Sequence, residues 1–353
     1  MLEIRSFDGE LGEVHSLIRA SWLQDYRDHY KQPIIDYSSV PFLEWNLNRP
    51  KSSPELSITA YLDEQLVGFV AGIPVTLKLQ DKTIQSVLGS FLTTHANYKG
   101  RGIGKALMKE FVNRLQEMPF DLLCGVTDEG HAQDNINKTL AVQMGVPYRT
   151  FYRFTYLSKP LNKQKITELS DLPFHQKIAL PLITKRTTKP KNRKYTFEVN
   201  TCIETIVDML NQSTSTQSLS VSWVEDELLY DLNSGFSKVF FLNAGRKMGL
   251  ILYYHMNLLG CTSKEAVHPM TIIDCVRFKN MSFYEKHKFI SDFCSQEKEM
   301  DSCIVAVPTM PGFDLRPFYF NLFFPSGRYN QIVGCDLKNL LDFPLHLDYL
   351  ILR

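Results

Sequence analysis

The residues whose types and spacing best suit chemistry lie in one run, Ser86-Val87-Leu88-Gly89-Ser90-Phe91-Leu92-Thr93-Thr94-His95-Ala96-Asn97-Tyr98-Lys99-Gly100-Arg101-Gly102-Ile103-Gly104-Lys105-Ala106-Leu107. The stretch from Thr83 to Thr94 reads as a strand that delivers the chain into a glycine-rich turn. Ile103, Leu107, Phe111 and Leu115 then recur four apart, which is one face of a helix. The first backbone N–H groups of a helix have no internal partner, and the helix dipole favours negative charge there. Glycines let a phosphate approach the main chain closely. Lys99, Arg101 and Lys105 add positive charge around the turn. Together these features predict a cradle for a pyrophosphate. The glycine spacing meets neither the GxGxxG dinucleotide fingerprint nor the GxxxxGK[ST] phosphate loop.

The stretch His95 to Leu107 resembles the coenzyme A-binding motif of the GNAT N-acetyltransferase superfamily, in which a basic residue or glutamine precedes two variable residues and then Gly-x-Gly. Here those positions are Lys99, Gly100-Arg101, Gly102, Ile103 and Gly104. The resemblance covers roughly residues 1–157 and implies an α/β fold with a mixed sheet, the GNAT-like acyl-CoA N-acyltransferase fold. It implies that the backbone amides of Arg101 to Lys105 hold the pyrophosphate. The main chain of Leu92, Thr93 and Thr94 would pair with the pantetheine arm like an added strand. An amide on that strand would polarise the thioester carbonyl, as an oxyanion hole does. Asn135 or Asn137, early in the following helix, would reach the cofactor.

The chain also departs from that pattern. Many members carry a tyrosine four residues before the glycine matching Gly145, where it protonates the leaving thiolate; this chain has Ala141. Tyr148 and Tyr152 are candidate substitutes, with a packed aromatic as the alternative. The usual glutamate base has no clear counterpart, although Gln85 and Ser90 lie nearby. His95 is a positional candidate for the base, and Asp128 and His131 fall in a segment that reads as a solvated loop.

The implied activity is acyl transfer, with acetyl-CoA or another acyl-CoA as co-substrate and an amine as acceptor, attacked directly in a ternary complex. Two other readings stay open. One is a non-catalytic acyl-CoA sensor or scaffold, which the missing tyrosine and glutamate favour. The other is a longer-chain acyltransferase.

Three segments organise the chain: a GNAT-like acyl-CoA-binding unit over 1–160, a basic, Pro-containing connector over 161–195, and a second unit over 196–353. Before the glycine turn, strands are expected over Leu2 to Arg5, Leu56 to Leu62 and Leu66 to Leu79, the last interrupted at Gly72 and Pro74. After it come a strand from Asp121 to Val126, a helix capped by Asp134 or Asn135 that stops at Gly145, and a strand from Phe151 to Leu157. Residues 158–195 carry Pro160, Pro173, Pro181 and Pro190 and six basic residues between Lys185 and Lys194, and the connector reads as having little structure. The second half echoes the order strand, turn, strand, strand, helix, strand, as after a duplication. Its strand Met270 to Val276 leads into Arg277-Phe278-Lys279 with no glycine pair, so it reads as a degenerate unit without the cradle, and Gly334 to Leu337 as a last strand. Tyr253, Tyr254 and His255 are acceptor-pocket candidates there. Tandem units of this kind resemble, in architecture alone, those of N-myristoyltransferase and mycothiol synthase.

Composition excludes several other classes. The 353 residues are 44 % hydrophobic and 22 % charged, with a formal charge of +1, which is ordinary for a globular chain. A dedicated nucleic-acid binder would be basic overall. There is no apolar run of membrane-spanning length and no secretory pattern at MLEIRSFDGE. The seven cysteines are odd in number and lack metal-ligand spacing, so no metal is expected, and free thiols in a cytoplasmic protein are.

Overall fold

The structure, a computed structural model, describes residues 1–25, 33–80, 82–128, 132–171, 174–185, 203–212, 218–261, 266–338 and 346–350. The first half runs β1 (Leu2–Ser6), α1 (Leu11–Asp25), β2 (Ile34–Ile35), α2 (Val40–Leu47), β3 (Ser57–Leu62), β4 (Gln65–Leu79), β5 (Lys82–Thr94), α3 (Ile103–Glu117), β6 (Leu122–Asp128), α4 (Ala132–Met144) and β7 (Tyr148–Phe154). There follow β8 (Tyr156–Pro160), α5 (Lys163–Leu169), α6 (Phe174–Lys185), α7 (Ile203–Leu210), β9 (Ser218–Val221) and α8 (Glu225–Asn233). The rest is β10 (Ser237–Ala244), β11 (Lys247–Leu259), β12 (Val267–Lys279), α9 (Phe283–Glu299), β13 (Ile304–Pro308), α10 (Arg316–Phe320), β14 (Phe324–Pro325), β15 (Asn330–Asp336) and β16 (His346–Tyr349).

These strands form two mixed sheets, ordered β1-β3-β4-β5-β6-β15-β7 and β10-β11-β12-β13-β8-β14. In each, three consecutive strands pair antiparallel and the third pairs parallel with the strand after a long helix: β5 with β6 across α3, and β12 with β13 across α9. A parallel neighbour requires such a crossover, and the helix covers one face of the sheet. The repeated order and pairing are those of two GNAT-like units in tandem. The units trade strands. β8, which follows β7 directly, pairs with β13 in the second sheet, and β15, from near the end of the chain, sits between β6 and β7 in the first. One apolar core therefore runs through both sheets, from Phe69 and Leu88 to Ile251 and Ile273. A second, smaller one fills the space between the first sheet and α3, around Phe111, Leu107 and Leu115.

Several local expectations are corrected. β4 is unbroken through Gly72 and Pro74. At Gly72 an added Cβ would lie 2.6 Å from Val87 Cγ1, so the glycine admits the neighbouring strand's side chain. β3 has ended opposite Ala71 and β9 joins only at Leu77, so Pro74 stands where β4 has a single neighbour and its missing N–H breaks no pairing. The connector carries α5 and α6, with Pro181 inside α6, because Ile166, Leu169 and Leu180 bury an apolar stripe. Its basic run beyond Lys185 lies outside the described residues. α4 starts at Ala132, so Asp134 and Asn135 lie within the helix rather than capping it. Asp128 ends a strand, paired with Asn330, rather than standing in a loop. Among the described residues no helix is long and apolar enough to cross a membrane.

Candidate functional site

The site begins where β5 and β6 part. They pair from Ser86 and Leu122 to Gly89 and Gly125, and beyond that point β5 continues to Thr94 beside β4 alone. The cause is a bulge. Phe69 faces Thr93 but Ala71 faces Ser90, so β5 holds an extra residue near Phe91, whose φ is +61°. A bulge bends its strand and strengthens the twist, which swings the following residues away from the parallel neighbour. A non-glycine residue in that region costs about 1–3 kcal/mol and persists only when its surroundings fix it. Here the Phe91 ring is buried, edge-on to Phe42 at 6.3 Å, and Thr93 Oγ1 donates to the Phe91 carbonyl at 2.9 Å. The bulge thus leaves Leu92, Thr93 and Thr94 at an open strand edge.

The glycine turn stands at the mouth of this gap. Gly100 and Gly102 have φ of +79° and +82°, and an added Cβ at either would meet nothing within 4 Å. They are glycines for their backbone angle and for the open space above them. Gly102 is the N-cap of α3 with no side-chain cap, and the first helical bond runs from Ala106 N to Gly102 O at 2.9 Å. The amides of Ile103, Gly104 and Lys105 precede that bond, so helix geometry provides them no acceptor. Gly68 sets how closely α3 lies on the sheet, since an added Cβ would come within 2.7 Å of Leu107 and 2.9 Å of Ile103. His95 accepts from the Asn97 amide and packs edge-on to Tyr98, over which Arg101 lies at 5.1 Å. That is a positioning role, and His95 Nδ1 is engaged in it. The equivalent helix in the second unit is built oppositely. The α9 N-terminus is closed by a capping box of Ser282 and Glu285, so a carboxylate of the chain itself occupies the place of an anion.

Behind the gap lies an apolar cavity between β5, β6, β15, α3 and α4. Leu92, Met108, Val112, Leu140, Ala141 and Met144 line it. Ala141 occupies the position where the family resemblance puts a tyrosine, and its small side chain leaves room. Asn137 also lines it, and its Oδ1 is buried with no hydrogen-bond partner among the described residues. A buried amide oxygen left unbonded costs roughly 1–3 kcal/mol, so this one suits an N–H donor arriving with a ligand. The side chain of Asn135 lies outside the described residues. Cys124 and Cys335 face the cavity, and burial pushes both thiols up to about 12. At about pH 8, Cys261, which is partly exposed, should be the described cysteine that thiol reagents modify first, with Cys124 and Cys335 slower by on the order of 1,000-fold. Mass spectrometry of the briefly alkylated native chain checks this.

The two tyrosine candidates separate. Tyr148 packs with the α3 side of the first sheet and lines the cavity, whereas Tyr152 packs into the larger core on the other face. β7 holds an extra residue, Phe151, opposite the step from Ile332 to Val333 of β15, and this bulge puts the two tyrosines on opposite faces. Tyr253 and Tyr254 are buried in the second sheet, and His255 bonds the buried Glu297 at 2.6 Å. Two carboxylates that the sequence did not single out as a pair are brought near the junction of the sheets. Asp128 ends β6 at the gap, Asp274 is buried in β12, and both act on Tyr37 and Tyr156, whose hydroxyls burial and these charges push well up. No signal in the sequence joins residues 37, 128, 156 and 274; the strand exchange does.

Two repeated sheets, a bulged central strand and an uncapped glycine-led helix define a tandem GNAT-like acyltransferase fold. The sequence model of the family described as "Myristoyl-CoA:protein N-myristoyltransferase, N-terminal domain" matches residues 2–119. The chain is 29 % identical over 112 residues to a probable glycylpeptide N-tetradecanoyltransferase of Caenorhabditis elegans, covering 31 % of this chain and 24 % of that protein. It is 24 % identical over 185 residues to the glycylpeptide N-tetradecanoyltransferase of Mycosarcoma maydis, covering 52 % and 23 %. The matches thus span about a quarter of those relatives' length. In structure it is similar to Saccharomyces cerevisiae N-myristoyltransferase with bound myristoyl-CoA, at a TM-score of 0.75 and 16 % identity, over 95 % of this chain and 82 % of that one.

Proposed function

We propose that this chain is a long-chain acyl-CoA N-acyltransferase, taking a tetradecanoyl-class donor and passing it to the N-terminal glycine of a peptide. The observation that carries the reading is the apolar cavity opening at the strand gap, beside the amide cradle of α3. The acetyl group favoured by the sequence motif gives way to a longer chain, since the space beyond the gap is lined almost wholly by apolar side chains. Each buried methylene contributes about 0.8 kcal/mol, so cavity length translates directly into donor preference.

In this reading the pyrophosphate rests on the amides of Arg101 to Lys105, with Lys99 beside it, and the pantetheine amides pair with Leu92 to Thr94 and Asn137. The amine attacks the thioester carbon, the C–N bond forms and the C–S bond breaks. Main-chain N–H groups at the Phe91–Leu92 bulge stabilise the oxyanion. Asp128 and Asp274 draw the acceptor's ammonium to the junction and take up the proton it sheds. The second proton follows the departing thiolate, so the products are the amide and free CoA thiol.

The test is thiol release from acetyl-, octanoyl-, tetradecanoyl- and hexadecanoyl-CoA, with and without a peptide beginning in glycine. Release should depend on the peptide and be fastest with tetradecanoyl-CoA. Ala141→Phe should shorten the preferred chain, lowering tetradecanoyl turnover about tenfold or more relative to octanoyl. Equal turnover of acetyl-CoA overturns the donor assignment. Tight binding without turnover across the panel supports the sensor reading instead.

A further inference from the structure

The α9–α10 surface exposes aromatic rings that the acyl-CoA site does not use. Phe283 and Phe320 are 41 % and 67 % exposed and pack on each other edge to face at 4.9 Å. Their chain neighbours Tyr284 and Tyr319 are 74 % and 48 % exposed. Four exposed rings in one place are unusual on a soluble surface and mark a contact. The ring pair stands at the first turn of α9 and the end of α10.

The charge around it is one-sided. Lys247, Lys286 and Arg316 lie beside the rings through ion pairs with Glu285 and Asp314, and Arg246, Lys279 and Lys288 lie close to these elements along the chain. Both acids are already engaged, Glu285 by Lys247 at 2.7 Å and Asp314 by Lys286 at 2.8 Å and Arg316 at 3.0 Å. Asn280 donates to the Arg246 carbonyl at 2.9 Å, which ties the β10–β11 turn to the same surface. Phenylalanine and tyrosine rings with a basic surround are the composition that rests in the headgroup region of a negatively charged leaflet.

We propose that this α9–α10 surface docks on an anionic bilayer, with Phe283 and Phe320 entering the headgroup region and the flanking lysines and arginines meeting lipid phosphates and carboxylates. The proposal is independent of the acyltransferase reading. It is tested by sedimenting the full chain with phosphatidylcholine vesicles containing either none or roughly 30 % phosphatidylserine. The chain should pellet with the anionic vesicles alone, and less so as salt rises. Phe283→Ser with Phe320→Ser should weaken partitioning about tenfold or more, and Lys279→Glu with Lys288→Glu comparably. Circular dichroism establishes that each variant is folded; Tyr284→Ser with Tyr319→Ser, at the neighbouring exposed rings, is the second aromatic variant should the first misfold. Binding to neither vesicle, equal binding to both, or folded variants that bind like the parent overturn the proposal. So does retention by a soluble polyanion such as heparin without vesicle binding, which would assign the charge to another partner.

Discussion

Gly102→Asp should abolish measurable coenzyme A binding, weakening it about 100-fold or more, while the fold survives. The argument has two parts. An aspartate tolerates positive φ better than most residues, and a Cβ at Gly102 meets nothing within 4 Å, so the chain has no reason to rearrange. Its carboxylate, however, would stand at the uncapped start of α3, where it accepts from the same amides that a pyrophosphate needs and repels what remains of the ligand's charge. At α9 the equivalent first-turn amide, that of Glu285, is already taken by the hydroxyl of the N-cap Ser282. Gly102→Asn separates the parts, because it fills the same space without charge, and should lose only about tenfold. Lys99→Ala should lose less again, about fivefold, as a solvated charge contributes roughly 1 kcal/mol. Calorimetric titration with coenzyme A reads all three, and an unchanged affinity in Gly102→Asp removes the cradle from that corner.

The parts of this site that the sequence displays are those fixed by local rules. Three glycines ahead of a four-residue apolar period define α3 and its open start, because both turn chemistry and helix periodicity act within a few residues. The bulge at Phe91 leaves no such trace. It inserts one residue into the alternation of β5, and only the register against β4 reveals which residue is extra. The exchange of β8 and β15 is equally hidden. Tyr156 follows Phe154 by two positions and a continuous apolar pattern reads as one strand, yet the chain changes sheets at Thr155. The prolines of the connector suggested irregular chain, but Ile166, Leu169 and Leu180 have cores to pack against, and tertiary burial outweighs propensity there. The pairing of Asp128 with Asp274 depends on both the exchange and the junction of the sheets, so it lies two steps beyond what spacing can express.

Asp231→Ala should cost about 3–5 kcal/mol of stability, the range for removing one partner of a buried ion pair. Asp231 is fully buried in α8 of the second half and accepts from both terminal nitrogens of Arg49, at 3.1 Å from Nη2, and from the Trp45 indole at 3.1 Å. Arg49 and Trp45 belong to the first half, so this carboxylate joins the units. Its loss leaves a buried guanidinium without a counter-charge, and the rings of Trp45 and Tyr230, 5.9 and 5.8 Å away, offset only part of that. The neighbouring Lys51–Glu227 pair, with Lys51 half exposed, is the control, and Glu227→Gln should change stability by about 1 kcal/mol or less. Replacing both partners, Arg49→Met with Asp231→Leu, should recover most of the loss, because no charge is then stranded. Urea denaturation measures each midpoint, and a loss below about 1 kcal/mol for Asp231→Ala would mean that Arg49 reaches water when unpaired. The same change should reach the site. Trp45 packs on Phe42 at 5.7 Å and Phe42 on Phe91 at 6.3 Å, so α2 is the support that keeps the bulge at positive φ. Loosening α2 allows Phe91 to relax and β5 to close toward β6, and acyl-CoA affinity should fall along with stability even below the unfolding transition.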